Sequence, residues 1–160
     1  QYTTSTSEQE LGEAANNWAY YAFNGKSYNN ATYTTYGDTY TAGDIVGIAL
    51  DLTNLKLYFS KNGVWQNSGV PTSGATGTGA LSLTAVSSLP SYTTAGIYLP
   101  AVSEGGSSET ITAKFNFGNG YFGTTAVTSS ESDDAGIGSF EYDVPAGYYA
   151  LCTNNLGDQS

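Results

Sequence analysis

GDIVGIALDLTNLKLYFSKNGVW, residues Gly43–Trp65, has the pattern of three successive strands joined by two tight turns. The first part, Ile45–Leu50, is a nearly continuous apolar run, which predicts a strand buried on both faces. Asp51 follows it and begins a turn. Apolar and polar residues then alternate in Leu55–Ser60, which is typical of a second strand. Asn62-Gly63 predicts the tight turn into the third strand.

The residues before this stretch predict a further hairpin. Trp18–Phe23 is aromatic and apolar, and the Asn24-Gly25 dipeptide after it favours a type I′ turn into a return strand that begins at Lys26. Asn29–Ala42 is polar and rich in tyrosine, which predicts a loop with a short edge strand. Further upstream, Glu8–Asn17 allows one short turn of helix.

The residues after this stretch contain a long segment, Gln66–Ser91, that is rich in glycine, serine and threonine. Within it only Ala80–Val86 predicts a strand. Ile97–Val102 and Ile111–Phe117 predict two more strands, and the alternation in the second predicts a half-buried antiparallel strand. Since no helical period of useful length occurs, the sequence predicts one all-β domain, an antiparallel β-sandwich.

The charge balance limits the partners of the chain. Its 160 residues contain four lysines and 14 acidic residues, which give a net charge of −10. A nucleic-acid backbone would be repelled, so we expect no nucleic-acid partner. Few residues are charged, and hydroxyl and amide groups are plentiful, which favours a virion surface or an extracellular location.

Cysteine and histidine chemistry is almost absent from the sequence. Cys152 is the only cysteine and there is no histidine, which excludes an internal disulfide, histidine-dependent catalytic triads and the common zinc sites. Cys152 is a small buried hydrophobe, a free thiol or half of an intermolecular bridge, and burial is favoured. We predict no cofactor, no metal site and no enzymatic activity.

The first residues do not have the pattern of a translation start. The sequence contains no methionine and opens without a charged segment, an apolar core or a cleavage site, so we expect a processed product or one piece of a longer polypeptide. No apolar run approaches the roughly 18 residues that cross a bilayer, so we expect no membrane association.

The order of motifs resembles the second part of a SPRY domain, the concanavalin-like β-sandwich also found in B30.2 modules. The strongest signal is GD-x-VG-x-x-LDL followed by L-x-FSKNG, and YLPAVS and ITAKFNFG come after it in the same order. The resemblance covers residues 18–122, which leaves 1–17 as an N-terminal extension or the end of an upstream segment and 123–160 as a C-terminal tail. The sequence departs from the family at Asn54-Leu55, where the family has Asn-Gly, and we expect the fold to be unchanged.

The tail closes on GYYALCTNNL, residues 147–156. With this segment the chain resembles SPRY-containing structural proteins of tailed phages, particularly marine ones. The resemblance also implies early strands that residues 1–17 do not supply. Upstream sequence or a neighbouring subunit would complete the sheet, because an incomplete sandwich exposes an unpaired edge.

Acidic residues are the first candidates for chemistry. Asp44 and Asp51 flank the buried run, and we interpret them as turn residues that accept hydrogen bonds from backbone amides rather than as catalytic carboxylates. Glu131, Asp133 and Asp134 are possible cation ligands, although their spacing matches no known loop and a solvated acidic turn is favoured. The residues expected to maintain the scaffold are Gly43, Asp44, Asp51, Asn62 and Gly63.

A cluster of tyrosines provides the candidate binding surface. The predicted ligand-binding residues are Tyr28, Asn29, Asn30, Tyr33, Tyr36 and Tyr40, and Tyr20 and Tyr21 lie in the same part of the sequence. Tyrosine offers stacking area and a hydroxyl group, which suits sugar or protein recognition. The resemblance to the SPRY family implies that a partner is recognised through variable loops. The alternative for each tyrosine is a place in the core.

Three functions follow from these observations. The first is a non-enzymatic phage virion or appendage protein, such as a tail-fibre or decoration protein, that serves assembly or host attachment. Its partners would be other virion or filament subunits in a homo-oligomer, and a host-surface glycan or protein. The second is a cellular SPRY-type interaction module or adhesin fragment. The third is a lectin-like carbohydrate-binding domain.

Overall fold

The computed structural model describes residues 10–85, 98–104, 110–152 and 155. This part of the chain contains short strands and two 3₁₀ helices, and every strand pair is antiparallel. The prediction of an all-β antiparallel fold is therefore confirmed. Two compact units are present, one made of Gln1–Thr41 and Thr84–Thr112, the other of Ala42–Leu83 and Ala113–Ser160. Among the described residues no helix is long and apolar enough to span a membrane.

The first unit contains a three-stranded sheet. Its strands are β1 (Trp18–Tyr20), β2 (Lys26–Asn29) and β3 (Thr32–Thr35), in the order β1-β2-β3. The edge strand predicted within residues 29–42 is confirmed as β3. The two-residue turn between β2 and β3 is Asn30-Ala31, and both residues have positive φ, 50° and 53°. This is the signature of a type I′ turn.

The turn between β1 and β2 differs from the prediction. The hairpin forms, but Tyr20 pairs with Ser27, so six residues lie between the paired ends. Only Gly25 of the predicted Asn24-Gly25 turn has positive φ, and its N–H donates to the carbonyl of Tyr21. The residues before β1 form two separate turns within Glu10–Asn17 rather than a turn of helix.

The second unit is built around a four-stranded sheet. Its strands are β4 (Val46–Asp51), β5 (Lys56–Lys61), β6 (Val64–Trp65) and β7 (Leu81–Ser82), and β5 pairs with the other three. Strand β5 is buried on both faces because it is central. The prediction that Ile45–Leu50 is buried on both faces is wrong: Ile48 is 49% exposed, since β4 is an edge strand.

The predicted turn between β5 and β6 is confirmed. Lys61 pairs with Val64, and the two intervening residues, Asn62 and Gly63, have φ of 48° and 81°. The turn between β4 and β5 also forms with Leu55 where the family has glycine, as expected. Leu55 adopts φ 57°, a conformation that favours glycine.

Three predicted strands differ in the structure. Ala80–Val86 is reduced to β7, with Val86 outside the described residues, and the 3₁₀ helices Gln66–Ser68 and Pro71–Thr76 occupy part of the preceding segment. Tyr98–Val102 and Ile111–Phe117 form no strand, and Ile97 is not described. The physical reason is that a strand requires a paired neighbour, and no described segment pairs with these residues.

The C-terminal part of the second unit contains a small hairpin and an ordered tail. The hairpin is β8 (Tyr121–Phe122) with β9 (Thr125–Ala126). The tail is fixed by Asp133, whose carboxylate accepts hydrogen bonds from the Ile137 N–H, the Ala150 N–H and the Asn155 amide, each at 2.7 Å. Two of these donors belong to GYYALCTNNL, of which residues 153, 154 and 156 lie outside the described part.

Candidate functional site

The tyrosines of the three-stranded sheet divide between its two faces. In strands, alternate side chains point to opposite faces, and residues that face each other across a pair share a face. Tyr28 pairs with Tyr33 and Ala19, which places these three on one face. Tyr20 pairs with Ser27 on the opposite face, where both are buried. Tyr21 has the parity of Ala19 and therefore joins the first face.

Tyr21, Tyr28 and Tyr33 form a continuous aromatic surface, named here the tyrosine face. The rings of Tyr28 and Tyr33 are stacked, with centroids 4.1 Å apart and planes 12° apart. Tyr21 meets Tyr33 edge-on at 5.5 Å. Aromatic pairs of this kind contribute about 0.5–1.5 kcal/mol beyond their buried area, so these contacts favour the observed arrangement of the rings. Tyr33 is 41% exposed, and the surface is therefore accessible to a partner.

The hydroxyl of Tyr33 is protonated at neutral pH. Partial burial is the main reason that the pKa of Tyr33 is raised, and the neighbouring Tyr21 and Tyr28 and the carboxylate of Glu10 raise it further. A neutral phenol donates and accepts hydrogen bonds. The tyrosine face thus combines stacking area with a polar group, and the negative charge of Glu10 lies nearby.

The opposite face of the same sheet carries a second tyrosine cluster. Tyr20 packs against Tyr36, with ring centroids 5.6 Å apart, and against Tyr40 at 4.9 Å. The hydroxyl of Tyr40 donates to the carbonyl of Tyr20 at 2.6 Å, and that of Tyr20 donates to the carbonyl of Asp38. Burial raises the pKa of Tyr40. These contacts bind the loop after β3 to the sheet.

The predicted ligand-binding residues therefore occupy three environments. Tyr28 and Tyr33 lie on the tyrosine face, whereas Tyr36 and Tyr40 lie in the buried cluster. Asn29 donates through its side-chain amide to the carbonyl of Asn17 at 2.7 Å, and to those of Ala14 and Ala15. Asn30 is exposed in the type I′ turn. The binding role of the set stays a prediction, and the structure brings only the first two together on an exposed surface.

Tyr21 belongs to the tyrosine face but not to the predicted binding set. The spacing of Ala19 and Tyr21, two residues apart, predicts that their side chains share a face in an extended segment. This spacing assigns Tyr21 to the face of Tyr28 only when the strand register, which places Ala19 opposite Tyr28, is known. Register of this kind is set by the turn, and the length of the turn differed from the prediction.

The residues expected to maintain the scaffold lie in the turns of the second unit. Asp44 accepts a hydrogen bond from the Asn62 amide at 2.7 Å, and the Asp44 carboxylate is 3.5 Å from the Lys61 ammonium group. The side-chain amide oxygen of Asn62 accepts a hydrogen bond from the Ile45 N–H at 2.8 Å. Gly43 and Gly63 have φ of 95° and 81°, which favours glycine at both positions.

Asp51 has the electrostatics of a turn residue. Its carboxylate accepts hydrogen bonds from the Asn54 backbone and side chain at 2.9 and 2.7 Å. Burial acts to raise the pKa of Asp51, but the hydrogen bonds from Asn54 and Thr53 and the charge of Lys56 outweigh it and lower the pKa. A general acid requires a raised pKa, so Asp51 is suited to accepting hydrogen bonds rather than donating protons.

The acidic segment of the tail is not a cluster of free carboxylates. Asp133 is 5% exposed, and protein donors occupy its oxygens. Glu131 lies in an isolated bridge with Phe140, and Asp134 is exposed. Within the described ranges no group of three potential ligands is placed to hold a metal ion. The interpretation of this segment as a solvated acidic turn is wrong for Asp133, because its carboxylate satisfies buried backbone N–H groups.

A second exposed surface lies in the other unit and is named here the phenylalanine groove. Phe115 and Phe117 stack with centroids 5.6 Å apart and are 45% and 42% exposed. They line a cavity of about 460 Å³ together with Gly118, Asn119, Ile137, Gly138 and Cys152. Cys152 is half-buried there. Two exposed and adjacent phenylalanines are typical of a surface that contacts another protein.

Comparison with known protein families matches residues 2–119 to the SPRY domain. The match covers most of the chain and includes both larger sheets, the tyrosine face and Phe115 and Phe117. No curated protein sequence matches the chain.

Proposed function

The chain belongs to the SPRY domain family, and on this basis we propose that it is a non-enzymatic interaction module whose tyrosine face binds its partner. SPRY domains are generally non-catalytic interaction modules. The observation that carries the proposal is the stacked Tyr28–Tyr33 pair, in which the Tyr33 side chain is exposed. Stacked tyrosines of this kind supply contact area that is already ordered before binding.

The energetics of the tyrosine face suit recognition. Binding normally costs conformational entropy when interface side chains become ordered. The contacts among Tyr21, Tyr28 and Tyr33 reduce that cost, since the three rings already restrict one another. The hydroxyl groups give directionality, because each donates and accepts hydrogen bonds at the edge of an apolar surface.

The setting that we propose is a phage virion or appendage, where the chain serves assembly, decoration or host-surface attachment. The net charge of −10 and the hydroxyl-rich composition support a virion-surface or extracellular location without nucleic-acid or membrane partners. The partners would be a host-surface glycan or protein and other subunits of a homo-oligomer. Many copies convert weak contacts into useful avidity.

The phenylalanine groove supports the assembly part of this proposal. No described residue forms a hydrogen bond to the backbone of residues 113–117, the segment that carries the stacked rings of Phe115 and Phe117. Unpaired backbone next to exposed apolar side chains is a surface that proteins normally cover. A neighbouring subunit that supplies a strand here would cover both.

Two other settings use the same tyrosine face. A cellular SPRY-type interaction module or adhesin fragment would bind a protein through it. A lectin-like domain would bind a carbohydrate, and the flat Tyr28–Tyr33 stack favours this second candidate because sugar rings pack on aromatic faces.

The binding proposal is tested by screening the immobilised chain against a glycan array and a displayed library of random peptides. Tyr33→Ala should weaken any binding by about tenfold or more, since exposed aromatic anchors typically contribute that much. Tyr121→Ala is the matched control, because Tyr121 is similarly exposed, at 48%, but lies outside the tyrosine face. Equal binding by the two variants would contradict a role for the tyrosine face.

The assembly proposal is tested by native mass spectrometry of the purified chain. A homo-oligomer that dissociates in Phe115→Ser but persists in Tyr121→Ser would support assembly through the phenylalanine groove. A monomer at high concentration would contradict homo-oligomer formation and leave the binding proposal as a separate question.

A further inference from the structure

We propose that the free edge of β3 binds an extended segment of the partner, which adds as a fourth strand and places a basic residue beside Tyr33. This inference rests on the proposed function, because it assigns the chemistry of the partner at the tyrosine face. It concerns the backbone of β3 as well as the tyrosine side chains.

The direction of the backbone groups in β3 follows from the hydrogen bonds of β2. The Tyr21 N–H donates to the Lys26 carbonyl at 2.8 Å, so the backbone groups of Lys26 point toward β1. Antiparallel pairing alternates, so Ser27 and Asn29 point the other way and bond to Thr34 and Thr32, their partners in register. The backbone groups of Tyr33 and Thr35 must therefore point away from the sheet.

The outer edge of β3 is open to solvent. All four residues of Thr32–Thr35 are exposed. Within the described part of the chain, no hydrogen bond reaches the backbone N–H or carbonyl of Tyr33 or Thr35. These groups match the spacing of an incoming strand, which bonds to every second residue.

The sequence of this edge lacks the features that normally prevent pairing. Proteins protect exposed edges with charged side chains, proline or bulges. Residues 31–36, ATYTTY, contain no charge, no proline and no glycine, and threonine and tyrosine favour strands. An unprotected edge beside a binding face indicates a site of strand addition.

The tyrosine face defines which side chains the added strand presents. A residue opposite Tyr33 lies on the same face as Tyr33 and within contact distance of it. A lysine or arginine there would lie over the tyrosine ring, where cation–π attraction operates, and close to the charge of Glu10. Thr35 pairs with Lys26, which is exposed. The partner residue that lies opposite Thr35 in the added strand is therefore on the same face as the Lys26 ammonium group, and an acidic or uncharged side chain fits there.

Charge also decides between the possible occupants of the edge. A second copy of the chain carries a net charge of −10 and would be repelled over long distances. A basic segment is attracted by the same charge. We therefore assign the edge to a partner segment with basic character rather than to self-pairing.

The test begins with a displayed library of random peptides selected on the wild-type chain at low salt. Enriched peptides should alternate apolar and polar residues and carry lysine or arginine. An enriched peptide is then labelled, and its affinity is measured by fluorescence anisotropy. Thr35→Pro removes the outward N–H at an edge position, where proline is tolerated. It should weaken binding about five- to tenfold, as expected for one backbone hydrogen bond, whereas Thr35→Val should not.

N-methylation of the peptide gives a second measurement that does not depend on the folding of a variant. Methylation at alternate residues should weaken binding, and methylation at the intervening residues should not, since only every second N–H faces β3. Equal effects at all positions, unchanged binding by Thr35→Pro or a library without enriched peptides would overturn the inference.

The outcomes separate this inference from the proposed function. Loss of binding in Tyr33→Ala with no effect of Thr35→Pro would preserve the tyrosine face and refute strand addition. A dimer of the chain alone that dissociates in Thr35→Pro, measured by analytical ultracentrifugation, would assign the edge to a second copy and refute a basic partner. Binding that neither variant changes would contradict both proposals.

Discussion

Leu55 provides a sharp test of the structure, because glycine should be more stable than alanine at this position, which is the reverse of the usual order. Leu55 has φ 57° in the turn between β4 and β5, and its carbonyl accepts the Leu83 N–H at 2.9 Å. We expect Leu55→Gly to be more stable than Leu55→Ala. Both variants keep the backbone hydrogen bond and lose the leucine side chain, so the comparison isolates the backbone conformation.

The magnitude follows from two opposing contributions. A left-handed conformation costs a residue with a Cβ atom roughly 1–2 kcal/mol. Glycine avoids that cost but loses about 0.5–1 kcal/mol more backbone entropy on folding. Glycine should therefore be favoured by about 0.5–1 kcal/mol, a difference of about 1–4 °C in Tm for a chain of this size.

Thr53 is the matched control for this prediction. It is exposed in the same turn and does not have positive φ, so Thr53→Ala should be more stable than Thr53→Gly. Free energies of unfolding for the four variants, from urea titrations, give both comparisons. If Leu55→Ala is at least as stable as Leu55→Gly, the left-handed conformation at this position is wrong.

Three further changes test the second unit. Gly63→Ala should cost about 1–3 kcal/mol, because a Cβ there would lie 2.7 Å from the Tyr142 ring at φ 81°, and Tyr142→Ala should recover part of that loss in urea titrations. Burial acts to raise the pKa of Asp133, but hydrogen bonds from Ala150 and other donors lower it, so its stabilisation is present above the ordinary carboxyl pKa and is lost as pH falls below about 4. Asp133→Asn should flatten acid unfolding over that range; unchanged acid unfolding would contradict this role. Burial is the main cause that raises the pKa of Tyr148 to about 12, so its contribution is complete below pH about 10 and is lost toward pH 12. Tyr148→Phe should reduce the alkaline loss of stability followed by circular dichroism, and an identical alkaline transition would contradict the shift.

The sequence alone determined the features that depend on neighbouring residues. Asn62-Gly63 specified its turn because both residues tolerate positive φ, and the hairpin follows from that local preference. The alternation in residues 55–60 and the absence of a helical period specified strands and an all-β fold. The motif order also indicated the SPRY family, which the match over residues 2–119 confirms.

Tertiary structure decided the features that depend on distant partners. Ile111–Phe117 has the pattern of a strand but forms none, because pairing requires a neighbour that a pattern does not supply. The same limit explains Ile48, which is exposed because β4 is an edge.

The candidate site shows this division most clearly. Residues 33 and 36 are both tyrosines and lie three residues apart. Tyr33 is exposed on the tyrosine face, whereas Tyr36 packs against Tyr20 and is only 4% exposed. Asp133 has the sequence pattern of a solvated acidic residue, but its side chain is buried and accepts hydrogen bonds from donors up to 22 residues away. Residue type determined what each side chain can bind, and strand register and chain packing decided which of them face solvent.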